Sequence, residues 1–162
     1  MNQEILKKLF RYENGELIRI QNRGGQKVGD TAGWITDCNG RKYKKMSFGR
    51  KTVYVHHAIF LYHHGYLPKY IDHIDNNSLN NKIENLRPAT QSQNISNSRI
   101  RSNNTSGYKG VTFRKDTLKW QAAVMVNGKH ISLGSHETKE KAYQAYLDGS
   151  KKHFGEFANK GV

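Results

Sequence analysis

The chain has 162 residues, with 27 Lys+Arg against 13 Asp+Glu, a formal net charge of +14 and a pI near 9.9. A 35% hydrophobic fraction and a mean hydropathy of −0.86 exclude a large dry core, and no apolar run approaches the ~20 residues of a membrane span. Cys38 stands alone, which excludes a disulfide framework and a cysteine-ligated zinc site, while the charge points to polyanionic partners.

In chain order, Met1–Leu6 lacks the basic-then-apolar order of a secretory signal, so an intracellular, soluble protein is expected. Phe10-Arg11-Tyr12 and Leu17-Ile18-Arg19-Ile20 flank Glu13-Asn14-Gly15-Glu16, and Asn-Gly between apolar runs predicts a hairpin. Asn39-Gly40 repeats the signal between Trp34-Ile35-Thr36 and Tyr43–Met46, and Thr52–Val55 follows as a further strand. His56–His64 predicts a short helix with Ile59, Phe60 and Tyr62 inward and Gly65 closing it. Asparagine-rich turns lead to a short strand at Asn85-Leu86-Arg87, before Pro88. Thr90 and Gln93 then match a capping box, which predicts a helix of about two turns with Asn94 in its first turn.

Ser98–Ser106 is polar and basic and is expected to be a connector, extended or ordered only on a partner. Beyond it, Tyr108–Arg114, Trp120–Val126 and Lys129–Leu133 predict three strands, and a helix begins at Thr138 with Ala142, Ala145, Tyr146 and Gly149 on one face. The expected division is 1–98, a linker at 99–106, and 107–162.

Charge is unevenly distributed. Residues 1–55 carry +7, residues 56–98 carry 0, residues 99–126 carry +5 and residues 127–162 carry +2. The neutral block holds His56, His57, His63, His64 and His73 between two basic flanks. A nuclease has this pattern, because metal ligands are acidic or neutral while the surfaces gripping DNA are basic. Within the block, Ile71-Asp72-His73-Ile74-Asp75 sets acid and histidine side by side. On a strand the two side chains diverge, so a working pair requires a strand end or a loop. Taken alone, Asp72-His73 also fits a buried hydrogen-bonded pair. His56, His57, His63 and His64 fit helix-face and DNA-facing groups better than a second metal site.

Asp72-His73-Ile74-Asp75, Asn80-Asn81-Lys82-Ile83-Glu84-Asn85-Leu86-Arg87 and Gln93-Asn94 resemble the HNH endonucleases of the phage free-standing and intron-homing type. The resemblance implies a ββα-metal core, spanning 53–98. It makes Asp72 and Asn94 the metal ligands, with Asn97 a competing position, His73 the general base, and Asn85 the residue that pins the loop positioning His73. A carboxylate and an amide oxygen are hard ligands, which suits one Mg²⁺ or Mn²⁺ rather than zinc.

Ser106–Arg114, Lys119–Ala122, Leu133–Thr138, Ala142–Tyr146 and Phe154–Ala158 resemble the AP2 DNA-binding domain, across about residues 107–158. That implies a three-stranded sheet against one helix, with Lys109, Thr112, Arg114, Lys119 and Lys129 toward DNA. The basic Arg99 and Arg101 join them from the connector. The fold expected is therefore α+β: a nuclease core preceded by short strands and followed by an AP2-like module. The expected function is metal-dependent hydrolysis of double-stranded DNA, nicking one strand, by a monomer with no membrane association and no obligate protein partner. The resemblance places it in the cytoplasm of a bacterial or phage-infected cell. The alternative is a non-enzymatic AP2-type DNA-binding regulator.

Overall fold

Asn2 caps the first helix of the computed structural model, which describes residues 1–161. Its side chain accepts from the Glu4 N–H at 2.7 Å, and helix α1 (Gln3–Leu9) buries Leu6 completely. The sequence pattern points to no element before Phe10; the cap, buried Leu6, Leu9 packed against the core and the Gln3 amide donating to the Tyr62 backbone carbonyl hold this short helix. Strands β1 (Phe10–Glu13) and β2 (Glu16–Arg19) form the expected hairpin, with Asn14 and Gly15 both at positive φ, as a tight primed turn requires.

Strands β3 (Trp34–Cys38), β4 (Arg41–Phe48) and β5 (Lys51–Tyr54) make a three-stranded antiparallel meander. Gly33, at φ +96, lets the chain enter β3 against β4, since a Cβ there would stand 2.3 Å from the Lys45 carbonyl oxygen. Helix α2 (Val55–His64) ends on Gly65 in the left-handed region. Val55, Ala58, Ile59, Phe60 and Leu61 of α2 pack with Leu6, Phe10, Leu17, Met46, Ile71 and Leu86 into one core. Each such large side chain is worth about 1.5–3 kcal/mol when buried, so this cluster is what fixes the strands around it. Strand β6 (Tyr70–His73) pairs with β7 (Leu86–Ala89), and a 3₁₀ turn (Ile83–Asn85) leads into β7. These elements make up the first of two compact units, Met1–Pro88.

The second unit, Ala89–Val162, starts with helix α3 (Gln91–Asn97). Its capping box is present: Thr90 Oγ1 accepts from the Gln93 N–H, and the Gln93 side chain accepts from the Thr90 N–H. Strands β8 (Val111–Arg114), β9 (Lys119–Val126) and β10 (Lys129–His136) form an antiparallel sheet in the order β10-β9-β8. Helix α4 (Lys139–Phe154) lies on it, with Ala142, Tyr146 and Phe154 against Val111, Ala122 and Val124. Gly110, at φ +70, admits the Tyr146 ring, because a Cβ there would come within 2.0 Å of it. The chain is thus a mixed α+β protein with several small antiparallel sheets and four α-helices among the described residues. None of those helices is long and apolar enough to cross a membrane.

The compact units divide at 88/89, not in the 99–106 stretch expected as a connector. Helix α3 is tied into the second unit. The Asn127 N–H donates to Ser92 Oγ at 2.8 Å, the Asn159 amide donates to Asn97 Oδ1 at 3.3 Å, and the Lys109 ammonium bonds the Ser96 and Ser98 carbonyls. The 99–106 stretch is bonded there as well, through Ile100 N–H to the Gly161 carbonyl and buried Ser106 Oγ to the Val111 carbonyl. Its polar composition suggests solvation, whereas these donors and acceptors are used internally.

Candidate functional site

His73 is the last residue of β6, the strand end that a working Asp-His pair requires. Both members are buried, Asp72 at 3% and His73 at 8% exposure. Asp72 Oδ2 accepts from Arg87 Nε on the neighbouring strand at 2.9 Å, an ion pair with little access to solvent. His73 Nε2 lies 3.1 Å from Asn81 Oδ1. An amide oxygen only accepts, so Nε2 carries the proton and the basic lone pair belongs to Nδ1. Burial pushes the imidazole below its ordinary 6.5, opposed by the Asn81 hydrogen bond and the charges of Asp75 and Asp72, so the neutral ring prevails at neutral pH.

The loop after β6 is closed by Asn85. Its Oδ1 accepts from the Asp75 N–H at 3.0 Å, and its Nδ2 donates to Asp75 Oδ1 at 2.9 Å and to the Asn80 carbonyl at 2.8 Å. Asp75 also accepts from the Asn77 N–H and the Asn80 amide. These hydrogen bonds hold the Asp75 carboxyl below the usual carboxylate range, against a partial burial that would raise it. The loop they shape delivers Asn81, itself 2% exposed, to His73.

Beside His73 lies His56, in the first turn of α2, with ring centroids 4.9 Å apart. The sequence pattern suggests a helix-face, DNA-facing group at His56; at 5% exposure it is inside. Burial, followed by the neighbouring His57 and His73, drives its pKa down to about 2, so it is a neutral ring. His57 is half-buried, and His63 and His64 are exposed.

Asp72, His73 and Asn85 are therefore brought together within the first unit. Asn94 and Asn97 stand on α3 in the second unit, Asn94 half-buried and Asn97 buried. No three His, Cys, Asp or Glu side chains converge as a metal cage among the described residues. One buried carboxylate of hard oxygens does fit a divalent ion that keeps several waters, as Mg²⁺ does.

In the second unit, Thr112, Arg114 and Lys119 share the sheet face turned away from α4, since Thr112 pairs with Gln121 and Arg114 with Lys119. With exposed Arg101 this face borders an open groove of about 670 Å³. Arg99 is also exposed. Lys129 pairs with Val126 and so belongs to the other face. Lys109, expected toward DNA, is turned inward onto the end of α3, where burial lowers its pKa to about 8. Free carbonyls at a helix C-terminus attract a lysine, and this one is within reach.

Sequence reasoning assigns no role to Asn81 and Arg87. Both lie inside the quoted motif, but an asparagine in an Asn-rich turn reads as turn propensity, and only its burial against His73 marks it.

Residues 53–95 match the HNH endonuclease family. The chain is 38% identical over 96 residues to Protein 3.8 of Escherichia phage T7, an alignment covering 58% of this chain and 78% of that protein. It is 35% identical over 122 residues to an uncharacterized HNH endonuclease of Acanthamoeba polyphaga mimivirus, covering 74% of this chain and 63% of the relative. No solved structure matches it.

Proposed function

We propose that this chain, a nuclease whose residues 53–95 match the HNH endonuclease family, hydrolyses phosphodiester bonds of double-stranded DNA with His73 as the general base. The observation that carries this is the buried His73 at the end of β6, kept neutral by burial and held through Nε2 by Asn81. Its Nδ1 takes a proton from the attacking water, a role that needs an uncharged ring at working pH. Asn85 holds the loop that carries Asn81, and Arg87 pairs with the Asp72 carboxylate and orients it. Asp72 offers a hard oxygen to Mg²⁺ or Mn²⁺. The role of second ligand goes to Asn94 on the resemblance alone, since the family match runs through that position. When bound, the ion supplies charge neutralisation to the scissile phosphate and the departing 3′ oxygen.

The second unit serves as an AP2-like DNA-binding module, with Arg101, Thr112, Arg114 and Lys119 on the phosphates and groove edges. One catalytic centre per chain makes a nick, with a 5′ phosphate and a 3′ hydroxyl, the product of a monomer. A mobile, homing-type enzyme fits the phage and giant-virus relatives. The family match favours a nuclease over a non-enzymatic regulator.

The test is incubation of supercoiled plasmid with the protein in Mg²⁺, Mn²⁺, Zn²⁺ or EDTA. Nicked circles are expected with Mg²⁺ and Mn²⁺ and none in EDTA. Undiminished cutting in EDTA would end the metal-dependent reading.

A further inference from the structure

The β3–β4–β5 meander has one face in the core, through Met46, and the other outside. Cross-strand register lines up Trp34, Lys45 and Tyr54 in one row of the outer face, Thr36 and Tyr43 in the next, and Cys38 and Arg41 in the third. Trp34 is 47% exposed, large for a tryptophan on a small sheet, and Lys45 lies over the Tyr54 ring at 5.0 Å. Neither Arg41 nor Lys45 has a carboxylate partner among the described residues.

This face runs to the catalytic histidine. Tyr54 and Tyr43 meet the His56 ring at 5.2 and 6.1 Å, and His56 meets His73 at 4.9 Å. Ser78 Oγ donates to the Lys42 carbonyl, which joins the loop carrying Asn81 to β4. Positive groups without carboxylate partners, beside an exposed aromatic ring and leading to a phosphodiesterase centre, match a nucleic-acid backbone in charge and a nucleotide in shape.

We propose that this outer face is the track for the strand being cut, with Arg41 and Lys45 holding its phosphates next to His73 and Trp34 packed on the adjoining nucleotide. The inference rests on the nuclease reading and adds a DNA-binding surface in the first unit, beyond the sheet of the second.

The test is the salt dependence of binding to a short duplex, using the full chain carrying His73→Ala so that the DNA stays intact. Replacing both Arg41 and Lys45 by alanine should flatten the slope of log K against log[salt] by about 1.8, at ~0.9 for each phosphate no longer neutralised. The control pair Lys8→Ala/Lys27→Ala, two exposed lysines elsewhere in the same unit, should move it by less than half as much. Trp34→Ala should weaken binding about tenfold with the slope unchanged, as loss of stacking does. If the alanine pair fails to fold by circular dichroism, Arg41→Gln/Lys45→Gln keeps the side-chain stems and is read against the same slope. Equal effects of the two pairs, or none from either, would overturn the proposal. Cutting by the His73→Ala protein would instead count against the nuclease mechanism, and the binding slopes would still decide the track.

Discussion

Replacing Asn81 by alanine separates the positioning of His73 from its chemistry. The substitution removes the Oδ1 that stands 3.1 Å from Nε2 and leaves a buried N–H without that acceptor. Such a loss costs about 1–3 kcal/mol. If that energy holds the ring in its reactive orientation, the productive population falls roughly 5- to 150-fold, at about 1.4 kcal/mol per decade. The same hydrogen bond raises the His73 pKa, so its removal lets burial push the ring further below 6.5. The base is competent when neutral. The acid limb of the rate profile therefore moves to lower pH while the plateau drops. Initial rates of nicked-circle formation, followed between about pH 5 and 8, report both quantities. A plateau within about twofold of the parent, or an acid limb displaced upward, would refute the positioning argument.

Three other substitutions test the structure, two beside the site and one in the second unit. His56 is buried neutral with its pKa lowered to about 2, so its contribution to stability is complete above the unfolded value near 6.5 and is lost as pH falls, at up to ~1.4 kcal/mol per unit; urea unfolding of His56→Leu should show a shallower decline between about pH 6 and 4 than the parent, and an equal decline would contradict this. Arg87→Met leaves the Asp72 carboxylate buried beside an apolar side chain and should cost on the order of 3 kcal/mol in urea unfolding, with a loss under about 1 kcal/mol showing that the pair contributes little. Gly110→Ala drives a Cβ into the Tyr146 ring at a positive φ and should lower the melting temperature of the protein by several degrees; an unchanged melt would mean that α4 can move aside without cost.

Much of this architecture is legible in the sequence because the signals are local. Asn14-Gly15, Asn39-Gly40 and Asn127-Gly128 mark hairpin turns whose dihedrals admit little else, and Thr90 with Gln93 makes a capping box that needs no tertiary support. The Asp72-His73 pair is visible as a strand-end site because two adjacent side chains on a strand diverge. What stays hidden depends on packing between distant residues. Helix α1 rests on Leu6 and Leu9 meeting a core assembled from later elements. The tie between α3 and the second unit runs through serine hydroxyls, amides and a lysine ammonium, groups whose composition suggests solvent. His56 resembles a surface histidine because part of its enclosure comes from Tyr43 and His73 on other strands, which the helical pattern does not show. Lys109 resembles a DNA-facing residue for the same reason, since charge says nothing of which way a side chain turns.

The most direct test of His73 as the general base is cleavage of supercoiled plasmid in Mg²⁺ by the parent and by His73→Ala, run side by side with a duplex-binding measurement. The expected result is a fall in nicking of about 10²- to 10⁴-fold, the usual scale for loss of a general base, with duplex affinity held within a few-fold. Nicking by His73→Ala at the parental rate would contradict the account.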